Sequence, residues 1–240
     1  LVLTIPFYTT SVYATINSIS VKGSDGIEGF AKSSDFLQFN VKASIIDDEL
    51  TNNQVKVGLD PGIQFDKCTK SINIGSECTL RFPSSGTDSF ESTVPFTINL
   101  FRDDGTVEDS KSSSVTIDNK APQVALTTSQ NKFSSQQNPV INYKVTDFAC
   151  EDSSCNDKCV GIKNIEFFTL DGSFNEKVDA TSNDCTLESE IAIDSKKFNN
   201  GQNSVFAKAT DKFNQMSQET SVTFDVDNSG PVIMPDSFEI

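Results

Sequence analysis

Histidine and tryptophan are both absent from the 240 residues. Without an imidazole, Ser-His-Asp and Cys-His nucleophile arrangements, histidine general bases and histidine-bound metals are excluded. No Gly-x-x-x-x-Gly-Lys-Ser/Thr or Gly-x-Gly-x-x-Gly pattern occurs, which removes the usual phosphate and dinucleotide cradles. Basic side chains are scarce: 19 Lys and Arg stand against 34 Asp and Glu, and the only guanidiniums are those of Arg81 and Arg102. A formal net charge of -15 repels a phosphate backbone, so no nucleic-acid partner is expected. The longest apolar-leaning stretch, Leu1 to Ala14, is broken by Pro6 and too short to cross a bilayer, so no membrane span is expected. No Asn-x-Ser/Thr acceptor occurs. These absences favour a structural or binding protein over an enzyme.

What is present is phenylalanine, 19 residues of it, and alternation. Leu37, Phe39, Val41, Ala43 and Ile45 alternate with polar neighbours, as do Cys78, Leu80 and Phe82, then Val94, Phe96, Ile98 and Leu100, then Val115 and Ile117. Period 2 marks half-buried strands. The scheme returns in Ile141, Tyr143 and Val145, in Ile165 and Phe167, in Ile191 and Ile193, in Val205, Ala207 and Ala209, and in Val222, Phe224 and Val226. Turn chemistry separates these runs at Ser24-Asp25-Gly26, Asp104-Gly105, Asp171-Gly172 and Asn199-Asn200-Gly201. The chain also repeats itself. Glu77-Cys78-Thr79-Leu80 returns as Asp184-Cys185-Thr186-Leu187, 107 residues on, and Ser114-Val115-Thr116-Ile117-Asp118-Asn119 as Ser221-Val222-Thr223-Phe224 with Asp227-Asn228. Two matches at nearly one offset predict tandem domains of about 105 residues. About seven short strands per copy point to immunoglobulin-like two-sheet sandwiches. The predicted organisation is all-β: an extended strand over 1–14, sandwiches over 15–119 and 120–229, and an extended tail over 230–240.

The segment Val205-Phe206-Ala207-Lys208-Ala209-Thr210-Asp211-Lys212-Phe213-Asn214, followed by Val222 to Asp227 and Pro231, resembles the closing hairpin of bacterial and archaeal immunoglobulin-like domains strung in surface proteins. In that family an Asp-x-x-Gly-Asn turn joins the last two strands and an Asp-x-x-x-Pro linker follows. Here Phe213 stands where glycine is usual, and the first copy keeps only Asp103-Asp104-Gly105 and Asp118-Asn119-Lys120-Ala121-Pro122. The resemblance implies an extracellular or cell-surface protein such as a spacer, adhesin, wall component or fibre subunit, and no particular ligand.

Three sets of residues are candidates for function. Six cysteines, Cys68, Cys78, Cys150, Cys155, Cys159 and Cys185, lack the Cys-x2-Cys spacing of most structural zinc sites, so they read as disulfides of an oxidising compartment. Cys68 with Cys78 suits a clasp on a hairpin or long turn, and the other four make two bridges whose pairing the sequence leaves open. Asp118, Asn119, Asp147 and Asp211 are the candidate Ca²⁺ ligands, although no EF-hand spacing occurs. Leu1, Leu3, Ile5 and Phe7 fall on one face of an extended strand that the first sandwich does not need for its own count. Added to the sheet edge of another copy, it would give a head-to-tail polymer by strand donation. The other expected mode is a monomeric adhesin or surface-layer module that grips a partner, for example another cell surface, with the acidic loop Cys150 to Cys159.

Overall fold

In the computed structural model, the described residues are 14–33, 35–45, 54–59, 63–64, 68–69, 76–81, 92–101, 105–134, 136–149, 158–181 and 183–229, with backbone alone for 14, 44, 45, 54–81 and 92. Strands are their dominant regular structure, as the alternation requires, beside one short 3-10 turn at Ser195–Lys197, and they form two compact units that part between Asn119 and Lys120.

The first unit holds β1 (Ala14–Lys22), β2 (Phe30–Ala31), β3 (Phe36–Ile45), β4 (Gln54–Leu59), β5 (Ile63–Gln64), β6 (Cys68–Thr69), β7 (Ser76–Arg81), β8 (Ser92–Phe101) and β9 (Val107–Ile117). One sheet runs β1-β3-β7 and the other β2-β9-β8-β4-β5, with β6 also on β4. The alternating positions of β3 and β8 face each other: Leu37, Phe39 and Val41 are buried with Phe96, Ile98 and Leu100, joined by Val115 and Ile117 of β9. Phe39 and Phe96 meet edge to face, 5.0 Å between centroids, the arrangement that the ring quadrupoles favour.

The second unit repeats this plan with β10 (Gln123–Thr128), β11 (Lys132–Ser134), β12 (Val140–Thr146), β13 (Ile162–Phe168), β14 (Asn175–Asp179), β15 (Thr186–Ala192), β16 (Gly201–Asp211) and β17 (Thr220–Asp227). Its sheets run β10-β12-β15 and β11-β17-β16-β13-β14. The sequence repeats land on equivalent strands: Cys78-Thr79-Leu80 lies on β7 and Thr186-Leu187 on β15, each the last strand of a three-stranded sheet, while Ser114 to Ile117 and Ser221 to Phe224 lie on β9 and β17. A cluster of Ile141, Tyr143, Val145, Ile165, Phe167, Val205, Ala207 and Phe224 fills the space between these sheets.

The turns take the conformations their residues favour. Gly26, Gly105, Gly172 and Gly201 all have φ between 73° and 98°, the region where a Cβ is costly. The turn after β16 shows why Phe213 can replace the glycine of the resembled family. Its left-handed residue is Asn214, φ 61°, so Phe213 is free to carry a ring into the core, where it is buried. Asp211 Oδ1 accepts from the Gln215 amide at 2.7 Å and closes the same turn.

Candidate functional site

The richest concentration of chemistry among the described residues lies at one end of the second sandwich, where β12 finishes, β13 begins, β15 begins and β16 ends. Cys159 and Cys185 are joined in a disulfide there, which selects one pairing from those the sequence left open. It ties the residues just before β13 to those just before β15, elements of opposite sheets. Around it, the Asp147 amide donates to the Cys185 carbonyl at 2.8 Å, and Asp147 Oδ2 accepts from the Gly161 amide at 3.2 Å. The Lys212 amide donates to the Gly161 carbonyl at 3.0 Å, and the Lys212 ammonium donates to the Asn183 side-chain oxygen. Gly161 sits in the middle with φ 94°, and a Cβ on it would stand 3.3 Å from Lys212 Nζ and 3.4 Å from the Asn183 carbonyl oxygen. Asp147 and Asp211 are both buried here.

The four candidate calcium ligands divide between the units. Asp118 and Asn119 follow β9, where the Asp118 amide donates to Ala31 and Asn119 Oδ1 accepts from the Ser33 amide at 3.0 Å. Asp147 and Asp211 belong to the second unit, and each spends one carboxylate oxygen on a backbone amide, Gly161 or Gln215. Among the described residues, no group of three or more His, Cys, Asp or Glu is placed to hold a metal ion. Cys68 lies on β6, which pairs with β4, and Cys78 lies on β7, which pairs with β3. Cys150, Cys155 and the acidic loop between β12 and β13 lie outside the described residues, as do Leu1, Leu3, Ile5 and Phe7.

Two features escaped the sequence reading. Asp35 is a buried carboxylate that accepts from the Ser24 and Lys32 amides at 3.2 and 3.0 Å and braces the turn from β1 to β2. Only its place between two strands reveals that role. At the other end of the second sandwich is an open depression of about 310 Å³, lined in part by Leu170, Asp171, Asn199, Gln202 and Phe206. Leu170 is 78% exposed, an unusual place for leucine, and follows Phe168, whose ring stacks on Phe206 at 5.8 Å with Lys208 Nζ 5.2 Å from its centroid. The signal was available as a hydrophobic residue inside the turn Leu170-Asp171-Gly172-Ser173. Asp171 is held at about 2, below its ordinary 3.8, chiefly by the Ser173 amide, then by the Ser173 and Thr169 hydroxyls.

No family model matches the chain, and no curated protein does. Among solved structures it is similar to the fibronectin(III)-like modules of Clostridium thermocellum CbhA, at 16% identity over 87% of this chain and 94% of that one, TM-score 0.33. A two-domain fibronectin type-III segment of chicken tenascin shares 10% identity over 88% of this chain and 98% of that one, TM-score 0.28. A 1.5-MDa bacterial ice-binding adhesin shares 9% over 88% of this chain and 65% of that one, TM-score 0.44. Identities and scores of this size leave the functional reading to the residues themselves.

Proposed function

We propose that the chain is an extracellular or cell-surface structural protein whose two sandwiches act as disulfide-protected spacers, and that copies join when the strand of 1–14 adds to a sheet edge of a neighbour. The Cys159–Cys185 disulfide carries the first half of this reading, because such bridges persist in oxidising compartments. The sheet orders guide the second half. Both units possess a three-stranded and a five-stranded path, so an incoming strand would extend an edge rather than fill a gap. β1 is such an edge: Ala14–Lys22 pairs with β3 on one side and carries no charge before Lys22. Charged strands discourage edge pairing, and β14, with Glu176, Lys177 and Asp179, is of that kind. Each copy carries a net charge of -15, so assembly strengthens as salt screens the repulsion. The protein works by holding and spacing, without catalysis and without a resident cofactor.

The test compares full-length protein with a variant lacking 1–13, which spares β1, by negative-stain microscopy across a salt series. Threads from the full chain alone support strand donation. Single particles from both overturn it and favour the second reading, a monomeric binding module. That alternative draws on the depression beside Leu170 and Phe206, since loop ends of sandwiches carry recognition in this architecture.

A further inference from the structure

We propose that the free edge of β10 is a docking surface for the same strand of a second copy, so that two copies join their three-stranded sheets into one across a two-fold axis. Among the described residues, β10 pairs with β12 alone, along the whole of Gln123–Thr128, and no strand is hydrogen-bonded to its other side. An antiparallel ladder turns the main-chain groups of alternate residues to opposite sides, so half of those on β10 face away from β12. The edge lacks the devices by which strands discourage pairing. Gln123, Val124, Ala125, Leu126, Thr127 and Thr128 include no charge and no proline. By contrast, β15, the other outer strand of that sheet, carries Glu188 and Glu190, and the outer strand β7 carries Glu77 and Arg81. β1, also neutral before Lys22, differs in that β9 engages two of its main-chain groups: the Ile16 amide donates to Asp109 Oδ2 at 2.6 Å, and the Asn17 carbonyl accepts from Lys111 Nζ at 2.8 Å. What the β10 edge leaves uncovered is apolar. Val124 and Leu126 pack against the core yet stay half-buried, as does Val222 of β17. A strand laid beside β10 would complete the burial of the first two.

A second β10 suits this edge because the strand is complementary to itself. Antiparallel pairing centred on Ala125 sets Ala125 opposite Ala125 of the other copy, Val124 opposite Leu126, and Gln123 opposite Thr127. The apolar pair then falls on the core side, while the small and polar residues face solvent. Charge permits the approach. On that sheet the nearest acidic side chains, Glu188 and Glu190, lie beyond β12. Two strand spacings put them about 10 Å from β10, about one Debye length at 0.1 M salt. Six residues a side is far below the roughly 20–30 of a stable complex. The contact is therefore weak in dilute solution and gains strength where copies stand close together, on a surface or along neighbouring threads. It is isologous and closes at two copies, so it neither repeats nor requires the open-ended strand donation proposed above.

Cysteine trapping in the full chain reads the register directly. Ala125 is exposed and lies at the centre of the pairing. In Ala125→Cys the two new thiols would face each other at a Cα separation of about 4.5–5.5 Å, within the reach of a disulfide. Mild oxidation of concentrated protein is expected to give a covalent dimer at twice the chain mass, with peptide mapping placing the link at residue 125 of both chains. Thr127→Cys alone should give at least ~tenfold less dimer, because its two copies would stand about 14 Å apart along the strands. Mixing it with Gln123→Cys should restore the dimer. Absence of a linked dimer from Ala125→Cys overturns the proposal, and so does equal linking by Thr127→Cys alone. Removing 1–13 abolishes threads if strand donation holds and should leave the Ala125→Cys dimer in place, so the two proposals fail separately. A dimer that appears only after 1–13 is removed also overturns this one, and assigns the β10 edge of the full chain to the donated strand.

Discussion

Asp171 illustrates how a fully exposed carboxylate can still tie stability to pH. Ser173 donates to it twice, from the amide at 3.0 Å and from the hydroxyl at 2.7 Å, and these bonds favour the ionised form. Its folded value of about 2 lies below the 3.8 of an unperturbed aspartate. A depressed folded value means that the stabilisation is complete above 3.8 and is lost as pH falls through about 2. Urea midpoints measured across that window are expected to fall less steeply in Asp171→Asn than in the wild type, and parallel slopes would contradict the assignment. Gly23 makes a steric counterpart. A Cβ on it would lie 2.3 Å from Asp35 Oδ2 and 2.9 Å from the Cα and Cβ of Ala31, so the carboxylate that braces the first turn would have to move. Gly26, three residues on, has open space around it and only a φ of 79° to defend. Gly23→Ala is expected to cost about 2–3 kcal/mol in urea denaturation, against about 1 kcal/mol for Gly26→Ala. Equal losses would show that Asp35 yields freely.

At the scale of elements, the strands legible in the sequence are those whose alternate residues fill a core. β3, β8, β12, β16 and β17 show that alternation along much of their length, and their buried positions are mostly the apolar ones. β14 offered no such signal, since Asn175, Glu176 and Lys177 are exposed and it is held by pairing with β13. β2 and β11 are two and three residues long and pair in parallel with β9 and β17. Backbone hydrogen bonds across sequence distance make them strands, and no local pattern records such bonds. β10 was missed for a milder reason: Val124 and Leu126 alternate but are only half-buried, so the run is weak. The candidate site divides in the same way. Cysteine number and spacing indicated disulfides, whereas the partner of Cys159 depended on bringing the start of β13 to the start of β15. Likewise, Asp211 is a candidate Ca²⁺ ligand by residue type, and the fold gives it the Gln215 amide in its own turn. Sequence shows which groups are available, while register decides which of them meet.

For the whole molecule, the consequence of two closed cores is separate melting. Phe39 and Phe96 belong to one buried cluster and Tyr143, Phe167 and Phe224 to the other, with each cluster enclosed by the sheets of its own unit. Cooperativity follows shared burial, so a chain of this kind departs from a single two-state transition. The Cys159–Cys185 bridge gives a way to mark one of the two. It closes a loop with a sequence separation of 26, for which the loss of unfolded-chain entropy amounts to about 3.5 kcal/mol. Cys159→Ala/Cys185→Ala leaves Cys68 and Cys78 untouched, which dithiothreitol would not. Scanning calorimetry is expected to resolve two transitions in the wild type, and the double variant should lower one of them by on the order of 10 °C while the other stays in place. If both move together, the units melt as one body and the independence of their cores is refuted.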